Sequence, residues 1–207
     1  MVEHAQEVEP APGVRPTPKA RATRARLIET AADTFVEDGY GATSVRGIAE
    51  RTGMTSGAIY GHFTNKANLL GEAVRYRLIE DLELHGGRPY EETKLADWLG
   101  HQWRDHRSRE ALRALIVEGA AAARVDDEAR QLLHTIITAK LDDWAQIYRA
   151  VWEDEGLDPD VDPDAVLYLL FAAEVGSGVL EALSITAPKS GMLAKAVQRL
   201  LGSLRRG

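Results

Sequence analysis

Residues 43–66 read TSVRGIAERTGMTSGAIYGHFTNK, and this stretch gathers the side chains whose types and spacing could do chemistry. Thr55, Ser56 and Gly57 are small and hydrogen-bonding, so the backbone carrying them can come close to a large polar surface. Tyr60 and His62 project from the same short segment and can hydrogen-bond phosphate oxygens, and Lys66 adds a cation. The chemistry on offer is polyanion binding rather than bond making. Elsewhere there is no Walker A loop and no Gly-x-Ser-x-Gly elbow, and Gly176-Ser177-Gly178 lies in a helical pattern rather than after a strand. His101 and His106 are five apart, so they do not share a helix face as an i, i+4 metal pair would. The sequence therefore offers no metal site, no cofactor motif and no catalytic constellation.

Helices must position these residues, because the apolar spacing is helical throughout and no alternating strand pattern occurs. Leu27, Ile28, Ala31, Ala32, Phe35 and Val36 share one face of a first helix ending at Gly39. Thr43 as N-cap, with Val45, Ile48 and Ala49 inside, opens a second, which Gly53 stops. Thr55 caps a third. Asn65 caps a long fourth running to Gly86-Gly87. The turn at Arg51 to Met54 separates the second and third with the spacing of a helix-turn-helix, whose second helix enters the DNA major groove. Beyond a break at Gly86 to Pro89, Ser108 caps a helix through Leu112 and Ile116, and a long helix spans about Asp127 to Glu155. Asp162-Pro163 starts another that runs to about Ile185, and Ser190 opens the last. The expected fold is all-α, with roughly nine helices.

Composition limits the partners and the compartment. The 207 residues are 44% hydrophobic, enough for a proper core, and contain no cysteine, which excludes a disulfide scaffold, a thiolate metal site and a cysteine nucleophile. Four of the eight prolines fall in residues 1–20, read as a disordered arm carrying little apolar surface. That segment lacks the apolar block of a signal peptide, and the longest apolar run, Ala165 to Ala173, is too short to span a membrane. The expectation is a cytoplasmic protein with no membrane partner. The net charge of −7 speaks against nucleic acid until it is divided. Residues 15–70 hold eight Lys or Arg against five acids, whereas residues 71–207 hold 17 against 24. Arg15, Lys19, Arg21, Arg24 and Arg26 form a run that is either a solvated face or an arm clasping a DNA backbone.

From Ala31-Ala32 through Phe35, Gly39-Tyr40, Thr43-Ser44-Val45-Arg46, Ile48-Ala49 and Gly53 to Phe63, Lys66 and Leu69-Leu70, the chain resembles the TetR family of one-component transcriptional repressors. About fifty residues carry the resemblance, in order and spacing. It implies a three-helix DNA-binding domain over 21–67, joined by the fourth helix to a helical effector-binding and dimerisation domain over 68–207. It also implies phosphate contacts from Thr43, Tyr60, His62 and Lys66, and base-edge approach from Arg46, Thr55, Ser56 and Gly57. Gly47 and Gly61 depart from the family pattern, as does Ser56, where Lys or Arg is frequent. With so few long side chains on the third helix, Arg46 is the candidate for reading guanine.

The second half suggests a pocket and a dimer. Trp98, Trp103, Trp144, Tyr148 and Phe171 fall on inner faces, where they pack a core or wall an apolar pocket, and His101 stands near them. Ala172, Gly176 and Val179, with Leu193, Val197 and Leu200 of the last helix, resemble the family's four-helix interface between two subunits. The reading is a ligand-responsive repressor, not an enzyme, that binds a palindromic operator as a homodimer and is released by a small, largely apolar effector. An activator using the same unit, or an all-α enzyme with its pocket in the second domain, are the alternatives.

Overall fold

The computed structural model describes residues 17–85 and 94–204. The side chains of residues 82–85 and of His101, most of the arm (1–16) and the Gly86 to Pro89 break lie outside the described residues. Every regular element among those described is helical.

Helix α1 (Pro18–Ala42) begins inside the segment expected to be disordered through residue 20. Thr17 accepts from the Ala20 amide at 3.2 Å, and Pro18 takes the first helical position, where its missing N–H and fixed φ do no harm. The same signal stands at Asp162-Pro163, where helix α8 (Pro163–Ala182) starts with Asp162 accepting from Asp164 N at 2.9 Å. Gly39, at φ 79°, breaks α1 as only glycine does readily. Helix α2 (Val45–Thr52) is capped by Ser44 rather than Thr43, with Ser44 Oγ accepting from Gly47 N at 3.0 Å. Gly53, at φ 69°, closes it in the left-handed conformation of a C-terminal stop. Thr55 caps α3 (Ser56–Tyr60) and Asn65 caps α4 (Lys66–His85), as the spacing predicts.

After α5 (Leu95–Arg104) comes a tight 3-10 turn, His106–Arg109, and then α6 (Glu110–Ala122). Ser108 does not cap α6. It lies inside the turn and its hydroxyl donates to the Asp105 carbonyl. Helices α7 (Asp127–Asp154), capped by Asp126, and α9 (Ser190–Gly202) complete the chain, and α8 ends three residues before Ile185.

Two cores result. The first joins Leu27, Phe35, Ile48, Ile59 and Leu70 to Leu115 of α6 and Leu133 of α7, so the apolar interior runs without a break across residue 67. The second packs Leu99, Tyr148, Trp152, Leu167 and Leu201, from α5, the second half of α7, α8 and α9. Gly178 belongs to packing within this one chain. A Cβ there would lie 3.0 Å from Arg113 Cβ and 3.1 Å from Arg113 O, so α8 meets α6 closely only as glycine. Gly176 faces open space.

Candidate functional site

Helix α3 is only five residues long and is held from behind by fully buried Ile59 and nearly buried Phe63. That anchoring turns Thr55, Gly57, Tyr60 and His62 to solvent and leaves Ser56 half-buried. Tyr60 is 55% exposed, although a tyrosine ordinarily hides its ring. Arg46, one helix earlier, is 84% exposed at the side chain and pairs with Glu50 at 3.0 Å. An exposed i, i+4 pair is worth no more than about 0.5 kcal/mol, so the guanidinium is readily redirected to a stronger acceptor.

Two residues expected at phosphates have their polar atoms engaged inside the protein. Thr43 is buried, and its hydroxyl donates to the Gly39 carbonyl at 2.7 Å and to Thr34 O at 3.4 Å, terminating α1. Lys66 Nζ donates to the carbonyls of Tyr40 at 2.7 Å and Thr43 at 3.1 Å and lies 4.1 Å from the Tyr40 ring centroid. Burial draws the Lys66 pKa below its ordinary value, against the opposing pull of Asp126. Both side chains serve the corner between α1 and α2: Thr43 adds its hydroxyl to the Gly39 carbonyl that its own amide already reaches at 3.1 Å, and Lys66 supplies a donor to the Tyr40 and Thr43 carbonyls.

A polar clamp behind the head carries no local signature in the sequence. The Tyr40 amide donates to Glu118 of α6 at 3.0 Å, the Tyr40 hydroxyl donates to Asp126 at 2.6 Å, and Asn65 donates to both Glu128 oxygens at 2.8 Å. Only the Gly39-Tyr40 dipeptide could have hinted at it. The hydroxyl bond, helped by the Ala129 and Glu128 amides, holds the Asp126 carboxyl below its ordinary value of 3.8. A depressed acid contributes stability above its unfolded pKa and loses it as pH falls through the folded one. Tyr40→Phe is therefore expected to cost about 1 kcal/mol at pH 7, with the difference from wild type shrinking below pH 3.8. Equal melting temperatures at pH 7 would show that the clamp does not hold.

Beyond the head, a cavity of about 90 Å³ lies between α4, α5, α6, α7 and α8. Trp98, Trp103, Trp144, Tyr148 and Phe171 all line it, joined by Leu112 and Ile116 of α6. Burial pushes the Tyr148 hydroxyl pKa up. The polar wall has no signature in the sequence: Arg109 grips Asp81 with Nε at 2.7 Å and Nη2 at 2.9 Å and also donates to Gln102, and Glu174 reaches in from α8. His106 lies behind this wall, stacked on Trp103 at 5.3 Å and beside the fully buried Arg113. Among the described residues no group of three His, Cys, Asp or Glu is placed to hold a metal ion.

Comparison with known proteins bears on both parts. The family model for bacterial regulatory proteins of the tetR family matches residues 27–73. The repressor KstR2 of Mycobacterium tuberculosis is 30% identical over 164 residues, covering 69% of this chain and 73% of that one. The regulator TtgR of Pseudomonas putida is 48% identical over 52 residues, so the chain matches only a quarter of its length, 25%. FadR from Bacillus subtilis, solved in complex with stearoyl-CoA, aligns with a TM-score of 0.72 at 20% identity, covering 88% of this chain and 100% of that one, a likeness of fold.

Proposed function

Because the chain belongs to the TetR family of transcriptional regulators, we propose that it is a repressor that binds a palindromic operator as a homodimer and lets go when a small, largely apolar molecule enters the cavity. The observation that carries the reading is α3, anchored by Ile59 and Phe63 with Thr55, Gly57 and Tyr60 outward. In this reading α3 lies in the major groove and Tyr60 and His62 hold phosphates. Thr55, Ser56 and Gly57 bring the backbone close, and Arg46 reads a base. Thr43 and Lys66 support the head from within. Residues 21–67 do the reading and 68–207 the sensing and pairing, in the cytoplasm where the DNA is.

For the dimer, α8 supplies the face. Its 20 residues have a mean hydropathy of 1.5 over the most apolar window, of which 11% is buried within the chain. Ala172, Val179 and Leu200 are exposed, Leu193 is half-buried and Gly176 is open, whereas Val197 is partly spent on the second core. A second copy would cover this surface without a membrane. The repressor name of KstR2 supports repression, and the bound stearoyl-CoA of FadR supports an effector with an apolar portion.

A ligand can lower DNA affinity only by binding the DNA-incompetent arrangement better. Two rods run from the cavity toward the head. Helix α4 lines it at Leu78 and ends at Lys66, and α6 lines it at Leu112 and Ile116 and meets Tyr40 through Glu118. A shift of either rod changes the spacing of the two heads.

Selecting DNA fragments with the purified protein tests the reading. The expected outcome is a palindrome with half-sites about one helical turn apart or a multiple of it. Arg46→Ala should relax one base position at a cost of about 1–3 kcal/mol. No enrichment would overturn DNA binding, a lone half-site would overturn the dimer, and a loss equal across sequences would move Arg46 to the phosphates.

A further inference from the structure

We propose that Lys19, Arg21 and Arg26, on the first turns of α1, form a second DNA contact outside the helix-turn-helix, gripping phosphates that flank the base-read half-site. The proposal rests on the DNA-binding reading and extends it to a surface that reading does not use.

Charge carries the first step. No acidic residue occurs between Glu9 and Glu29. Residues 17–70 hold seven Lys or Arg against five Asp or Glu, and taking away Lys19, Arg21 and Arg26 leaves four against five. The remaining four are engaged: Arg24 with Glu72 at 2.6 Å, Arg46 with Glu50, Arg51 with Glu37 and Asp38, and Lys66 on two carbonyls. Lys19, Arg21 and Arg26 are exposed and make no ion pair among the described residues. The positive excess that draws the head to a polyanion is therefore concentrated in these three residues.

Placement carries the second step. The Arg24 guanidinium lies 5.1 Å from the centre of the Phe63 ring, so the early turns of α1 stand beside the loop that leaves α3. His62, assigned to a phosphate, is the next residue toward α3. Arg21 is one turn before Arg24 on the same row of the helix, and Lys19 and Arg26, seven apart, share another row. Apolar burial in α1 begins only at Leu27, so this part of the helix serves no core. Its long, flexible cations suit a phosphate backbone, which needs positive charge but no base-edge geometry.

The test is Lys19→Gln, Arg21→Gln and Arg26→Gln together in the full chain, measured on the selected operator with long flanks across a salt series. Each phosphate contact contributes about 0.9 to the slope of log affinity against log salt, so the slope should fall by up to about 2.7 per protomer. Affinity at about 0.15 M salt should drop by up to about a hundredfold per protomer, with the ranking of operator variants unchanged. Arg21→Lys with Arg26→Lys should keep the wild-type slope, since only charge is required. An unchanged slope in the Gln variant at unchanged melting temperature overturns the proposal. A changed ranking overturns it too, by making these residues base readers. If the wild-type protein itself binds no DNA, the functional reading fails with it, a result the salt series on wild type alone reveals.

Discussion

Arg113→Met is expected to destabilise the protein by about 3–5 kcal/mol, because it strips the partner from two largely buried carboxylates. Arg113 has no exposed surface. It stands on α6 and holds Glu181 through Nε and Nη2, while Nη1 donates to Glu174 at 2.9 Å and to the His106 carbonyl at 2.7 Å. Glu174 and Glu181 are seven apart on α8, so one guanidinium ties two turns of that helix to α6. Midway between them, at Gly178, the two helices approach so closely that a Cβ would crowd the Arg113 backbone. At roughly 2–4 °C per kcal/mol for a chain of this size, the melting temperature should fall by about 10 °C. Adding Glu174→Gln and Glu181→Gln should restore much of it, since no ion is then left without a partner. A melting temperature within about 2 °C of wild type in the single variant would mean that water reaches these carboxylates. The sign of the pH dependence gives a second check. Burial alone would raise the Glu174 pKa, but the His106 hydrogen bond and the Arg109 and Arg113 charges hold it below the ordinary 4.5. In wild type its contribution is therefore complete above pH 4.5 and is lost as pH falls through the lower folded value. Without Arg113, burial gains the upper hand, and the penalty of the variant should narrow as the medium turns acid.

That cluster also marks where the sequence stopped being readable. Thr55, Asn65 and Asp162-Pro163 announced their helices because a cap acts on amides two or three residues away, and a local signal survives in a linear string. The head motif was legible for the same reason, and the helical spacing put five aromatic residues on the inner faces that line the cavity. Arg113 and Glu181 are 68 positions apart, and nothing local distinguishes them from solvated charges on two helix faces. Tyr40 and Asp126 meet across 86 positions, so the joint between head and body was equally hidden. Local signals also compete. Thr43 and Ser44 are both good caps, and the chain gives the cap of α2 to Ser44 because Thr43 is drawn inward to the Gly39 carbonyl. Proline content argued for a disordered arm through residue 20, but Pro18 follows a capping threonine, and position within a turn outweighs composition. Gly176 and Gly178 look alike in the string, yet their side-by-side spacing sends one outward and the other against α6.

Gly57→Glu should abolish operator binding while leaving the fold as stable as before, and the separation of those two effects tests whether α3 faces DNA. Gly57 is the second residue of α3 and is exposed; a Cβ there meets nothing nearer than Thr55 Oγ1, at 3.9 Å. The fold therefore has room for a side chain. Glycine inside a helix is about 1 kcal/mol worse than alanine, and an acid in the first turn of a helix is favoured by the positive end of the helix dipole. Stability should hold or rise slightly. Against DNA the same change acts twice: it adds bulk where the backbone must approach closely, and it sets a carboxylate near phosphates. Like charges opposed across an interface cost several kcal/mol, so affinity should fall by about a hundredfold or more. Gly57→Ala separates the two components, since it adds the bulk without the charge and should lose less, with little change in salt dependence. If the Glu variant binds the operator as tightly as wild type, α3 does not enter the groove, and the assignments of Thr55, Ser56 and Tyr60 fall with it. If affinity and melting temperature drop together, Gly57 has a structural duty that its open surroundings do not suggest, and the exposed face of α3 loses its claim to DNA.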